Sequence, residues 1–292
     1  MRVTQSILTR NMIGNMNQNR ETMDRLQSAM STGKEVNSSS DDPVRFARAN
    51  RYRQMIAQND QYKRNINDAM GWTNNYETLM GELHGFVVEA KEAAIQGADN
   101  TQSAGTREII AERVEGLINQ VLNVANSSYV GKAAFAGTLT NVDTAFEYDG
   151  NTVTYNGNDR EMSRRIAESL DVTINITGND VQGTGVFTEL IALRDALTSN
   201  DRVAVAAQIA TLENVEDEML TLASKVGLAK NHLSLTEERL GTAETNIVSF
   251  LSHTEDADLA DIIAKYSSEE IAYKAALEAT AKAINLNVLD FI

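Results

Sequence analysis

The chain contains no cysteine. Disulfides and thiolate metal sites are therefore excluded. Proline occurs once in 292 residues, as Pro43, and aromatic residues make up only 5%. The first scarcity removes the usual helix breaker; the second argues against a core organised as one large aromatic cluster. No stretch approaches the 18 apolar residues of a membrane-spanning helix. Arg2, Arg10 and Arg20 interrupt the first 30 residues, so no cleaved secretory signal is expected there.

Chemistry is equally sparse. His84, His232 and His253 are far apart and form no metal-spaced pair. Neither a P-loop nor a GxGxxG fingerprint occurs. Glu255, Asp256, Asp258 and Asp261 cluster, but without the glycine and distal glutamate of an EF-hand loop. They are expected to mark a capped helix start. The expectation is no catalytic residue, no metal, no cofactor and no enzymatic activity. The net charge of −15 and pI of about 4.7 argue against nucleic-acid binding. Residues 1–60 hold 9 Lys/Arg and 6 Asp/Glu, a net of +3; the rest hold 17 and 35, a net of −18. The N-terminal arm is thus the mildly basic part, suited to acidic partners.

What the sequence does hold is helical periodicity. A first helix is expected over about 5–31, with Met12, Met16, Met23, Leu26 and Met30 on a weak heptad seam. Gly33 ends it. The stretch SSSDDPVRFARA at 38–49 then opens a second helix. Asp42 suits the N-cap, Pro43 the first helical position, and Asp41 with Asp42 complements the positive helix end. Gly33, Asp41, Asp42 and Pro43 together read as a hinge at the helix start. From there a 3–4 pattern runs through Tyr52, Tyr62, Ile66, Tyr76 and Leu83 to Ala94, predicting a helix of about 54 residues, ~80 Å long. A loop at 97–105 and a third helix over about 106–127 follow.

The texture changes over 129–186. Asp149-Gly150 and Gly157-Asn158-Asp159 are turn chemistry, and Val153, Tyr155, Val172, Ile174 and Ile176 alternate with polar residues as in half-buried strands. This predicts a small β-rich insert resting on the helices. Helix returns at 187–198. Asn200-Asp201 starts a second strong seam, carrying Leu212, Met219, Leu233, Leu240, Ile247 and Phe250, the expected coiled-coil partner of the second helix. After a break at 252–256 the terminal helix carries Leu259, Ile263, Tyr266, Tyr273, Leu277, Thr280, Ile284 and Phe291.

The expected fold is therefore mainly α: an elongated helical bundle or coiled coil of long helices from both termini, with a small β-rich insert at the tip. Residues 1–40 and 253–292 form the terminal helices, 41–128 and 187–252 the long bundle, and 129–186 the insert. The terminal seams are rich in Met, Asn, Gln and Thr. As an isolated pair they bury little apolar area against the entropy of ordering. They are expected to order when copies pack together.

Three stretches carry a resemblance. STGKEVNSSSDDPVRFARANR at 31–51 resembles the N-terminal motif of the flagellin superfamily, and TEDADLADIIAKYSSEEIAYKAALEATAKAINLNVLDFI at 254–292 resembles its C-terminal end. The closing LNVLDFI, together with YVGKAAFAGT at 129–138, is most similar to the FlgL-type junction branch; flagellin proper is the alternative. The resemblance implies a structural role between the hook-associated protein FlgK and the flagellin filament, with copies arranged in a ring. It implies an extracellular place in the bacterial flagellum after type III export without signal cleavage. It also implies an FlgN-type chaperone on the C-terminal helix, and no partner among nucleic acids or membranes.

Overall fold

A computed structural model describes residues 2–139, 141–142 and 144–289, with the side chains of 2–6, 8, 9 and 283–289 left out. The described residues are mainly helical, with long helices at both ends and strands in the middle. In order the elements are α1 (Arg2–Thr32), α2 (Pro43–Ala98), α3 (Ala104–Ala125), β1 (Ser128–Tyr129), β2 (Lys132–Ala133), β3 (Phe146–Tyr148), β4 (Val153–Tyr155), β5 (Ser163–Ala167), β6 (Leu170–Thr173), α4 (Gly178–Gly183), α5 (Val186–Thr198), α6 (Arg202–Glu255) and α7 (Leu259–Leu289).

Three helices open on the same device. The Asp42 carboxylate accepts the N–H groups of Val44 and Arg45, both at 2.9 Å. Asp201 accepts those of Val203 at 3.0 Å and Ala204 at 3.1 Å, and Asp258 those of Ala260 at 3.0 Å and Asp261 at 3.3 Å. Each carboxylate satisfies first-turn donors that have no partner within the helix. Pro43 sits at the first position of α2, where its missing N–H costs nothing.

The chain forms two compact units, residues 1–58 with 242–292 and residues 59–241. Helices α2 and α6 contribute to both. The larger unit holds a continuous apolar core. Ile66, Tyr76, Met80 and Leu83 of α2 join Ile118 of α3, Leu190 and Leu193 of α5, and Leu212 and Met219 of α6. Within this unit Lys91 pairs with Glu216, and Lys230 with Glu77 at 2.5 Å, tying α2 to α6.

The insert has no separate core. Its strands form three two-stranded antiparallel sheets, β1–β2, β3–β4 and β5–β6, among the described residues. Phe135, Phe146, Ile166, Val172, Ile174 and Ile176 are buried in the same core as the helices. Two details differ from the sequence expectation. Ile174 and Ile176 lie beyond the end of β6, and α4 follows them where no helix was expected. A capping box starts α4: Thr177 and Asp180 exchange side-chain-to-backbone hydrogen bonds.

Candidate functional site

The smaller unit contains the two terminal helices and the linkers beside them. Helices α1 and α7 pack on each other. The covered face of α7 runs through Ile262, Tyr266, Glu269, Tyr273, Ala276 and Thr280, in steps of 4 and 3. That is a heptad seam, but its small and polar members bury little. Among the described residues of this unit, the buried apolar side chains are Ala29, Val36, Ala49, Ile247 and Ile262. By contrast Ile7, Ile13, Met30, Leu259, Ile263, Ile271 and Leu277 are exposed. These leucines and isoleucines are about half covered already, so each would gain about 1–2 kcal/mol if the rest were buried.

The expected seam residues therefore divide. Met12, Met16, Met23, Leu26, Tyr266 and Tyr273 are half-buried, while Met30, Leu259, Ile263 and Leu277 are exposed. The side chain of Ile284, and Phe291, lie outside the described residues. Of the expected bundle-core positions, Ile66, Tyr76, Leu83, Leu212, Met219, Leu233 and Ile247 are buried. Tyr52, Tyr62 and Leu240 are half-buried. Phe250 departs from the expected seam: it is exposed, and its ring stands 6.1 Å from that of Tyr52.

The linkers join in a clasp. Gly33 takes a left-handed φ of +69° just after α1, and its N–H donates to the Ala29 carbonyl at 2.9 Å. Lys34 then pairs with Asp256 as an antiparallel bridge. The Glu255 carbonyl accepts the Glu35 N–H at 2.7 Å and the Val36 N–H at 3.4 Å, and the Gly33 carbonyl accepts the Ala257 N–H at 3.0 Å. The Glu255 side chain is 4% exposed. One of its oxygens meets Lys34 Nζ at 2.6 Å and the other meets the Arg53 guanidinium. Arg45 bonds Glu35 at 2.8 Å and the Thr254 carbonyl at 3.0 Å.

This corrects part of the acidic-cluster expectation. Asp258 caps α7, but Glu255 ends α6 and is a buried ion-pair centre. Asp41 likewise departs from its expected place at the helix end. Its carboxylate accepts from the Asn37 and Ser38 N–H groups at 3.0 and 2.8 Å, bracing the linker. The Ser38 N–H, foremost, holds the Asp41 carboxyl below its ordinary value. No local spacing in the sequence points to Glu255, because its partners lie about two hundred residues away.

In the larger unit, YVGKAAFAGT is a second junction. The Tyr76 hydroxyl donates to the Ala134 carbonyl, the Tyr155 hydroxyl to that of Phe135 at 2.9 Å, and the Asn158 N–H to that of Ala136 at 3.2 Å. Burial pushes the Tyr76 phenol well above its ordinary value. Gly137 has φ +66°, and a Cβ there would lie 2.0 Å from the Asn158 carbonyl oxygen. The glycine is required by that approach. Each of these carbonyls accepts from a donor elsewhere in the unit, so this stretch ties the insert to the helices.

The chain matches the bacterial flagellin N-terminal helical region over residues 3–140 and the bacterial flagellin C-terminal helical region over residues 209–292. It is 26% identical to flagellar hook-associated protein 3 of Salmonella typhimurium, covering 93% of each chain. It is 20% identical to flagellin of Bacillus subtilis, covering 97% of this chain and 96% of that protein. A solved flagellar hook-associated protein from Vibrio parahaemolyticus shares the fold at a TM-score of 0.68 and 17% identity, over 74% of this chain and all (100%) of that one. The flagellar junction protein FlgL from Legionella pneumophila does so at 0.61 and 14%, over 73% of this chain and 100% of that one. Long helices at both ends, a strand-bearing middle and both terminal regions of the family thus coincide in one sequence, and the chain belongs to the bacterial flagellin family.

Proposed function

We propose that the chain is a structural protein of the bacterial flagellum that forms the junction between hook and filament, of the hook-associated protein 3 type. The observation that carries the reading is the full-length likeness to that protein, combined with terminal helices that leave Leu259, Ile263, Ile271 and Leu277 uncovered. Such a surface suits packing against further copies and neighbouring flagellar subunits. Its partners in this reading are FlgK on the hook side, flagellin on the filament side and copies of itself in a ring. Before export, an FlgN-type chaperone holds the C-terminal helix. Residues 1–40 and 253–292 line an inner tube, 41–128 and 187–252 form the surrounding helical layer, and 129–186 face outwards. The protein acts outside the cell, exported without signal cleavage.

Deleting the gene and imaging the cells tests this directly. Hooks without filaments, with flagellin lost to the medium, are expected. Intact filaments would refute the junction role. The likeness to Bacillus subtilis flagellin supports a second reading as a filament subunit. Purified protein that polymerises into long filaments would establish that reading instead.

A further inference from the structure

We infer that the clasp formed by residues 33–36 and 254–257 is a coupling device, through which the end of α1 and the start of α7 open and close together. This does not depend on the junction reading. Each helix has a local cap, the Gly33 N–H on Ala29 for α1 and Asp258 for α7, but the linkers that carry those caps are hydrogen-bonded to each other. The residue that terminates α1, Gly33, accepts through its carbonyl the N–H of Ala257, one residue before the Asp258 cap of α7. The residue that terminates α6, Glu255, receives the two N–H groups that follow Lys34. Each of these backbone groups thus has its protein partner only while the opposite linker is in place.

The ion pairs make the arrangement asymmetric. Lys34 and Arg53 side chains are 38% and 39% exposed and can turn to water when Glu255 is removed. The Glu255 carboxylate cannot do the same, at 4% exposed. Removing both cations leaves a buried charge unpaired, which is the more costly loss. Glu255 can regain water only if the linker strand separates. Separation frees Gly33 and Ala257 at the same moment. Since starting a helix is the costly step in forming it, a clasp that presets one end of each helix favours both together.

Hydrogen exchange on the full chain tests the coupling, followed by mass spectrometry of peptides spanning 33–41, 256–265 and 104–125. Each variant is read on the side it does not alter. Lys34→Met with Arg53→Met is expected to speed exchange across 256–265 by about tenfold or more. Glu255→Ala is expected to speed exchange across 33–41 by a smaller factor, with Glu255→Gln smaller still. Residues 104–125 should be unchanged in every variant, which separates clasp opening from general unfolding. Acceleration confined to the mutated side would overturn the inference. So would unprotected amides at Glu35, Val36 and Ala257 in the unsubstituted chain, because the clasp would then be open to begin with.

Discussion

Asp42 and Pro43 stand side by side and do different work. Asp42 supplies hydrogen bonds to two otherwise orphaned N–H groups; Pro43 only occupies a site that tolerates it. Asp42→Ala is expected to cost about 1 kcal/mol and Pro43→Ala much less, read as shifts in urea unfolding followed by helical circular dichroism. Equal and large losses would contradict that division. Val130 makes the opposite case. It joins β1 to β2 with φ at +51°, a conformation that a β-branched side chain adopts only under strain, and it is 80% exposed, so packing does not compensate. With Gly131 beside it at +70°, the turn suits Asn-Gly. Val130→Asn should therefore stabilise the protein by about 0.5–1 kcal/mol, seen as a higher unfolding midpoint.

Among the elements, the insert is tied to α2 by side-chain contacts as well as by the shared core. Tyr76 is buried, and its hydroxyl is the donor that reaches the Ala134 carbonyl from α2. Tyr76→Phe leaves that carbonyl without this donor and should cost about 1–3 kcal/mol. Tryptic cleavage at Arg164 or Arg165 should accelerate more than cleavage within α3, and equal rates would argue against the dependence. The long helices were legible because twelve or so turns of 3–4 periodicity and capping aspartates agree with each other. Strand β5 was not legible: Ile166 is its one large apolar residue, preceded by Arg164 and Arg165. Helix α4 spans six residues, too few for a period, although the Thr177-to-Asp180 spacing was a readable capping signal. The phase of α7 was only half legible. Leu259, Ile263 and Leu277 fit one apolar stripe, whereas the chain covers Ile262, Glu269 and Ala276 beside the expected Tyr266, Tyr273 and Thr280. Where two stripes are comparably apolar, tertiary context decides.

For the whole molecule, the two units differ in how much apolar surface they bury for themselves. The larger carries an extensive core, and the smaller carries five buried apolar side chains among its described residues. The larger unit is therefore expected to survive limited proteolysis in dilute solution, while cleavage at Arg10, Arg20 and Lys274 is fast and slows as protein concentration rises. Ends that resist protease at low concentration would sink the expectation. The three hairpins carry a practical consequence. Among the described residues no strand of one sheet hydrogen-bonds to another sheet, so lengthening one turn need not disturb the other two. The β5–β6 turn at Glu168 and Ser169 is exposed; the Asp149–Thr152 turn is largely exposed too, but its Gly150 carbonyl is held by Arg194 and Tyr148. An epitope tag placed after Glu168 should leave the unfolding midpoint within a few degrees of the parent, and the same tag after Gly150 should lower it clearly more. The first of these positions is a natural handle for antibody labelling of the folded protein.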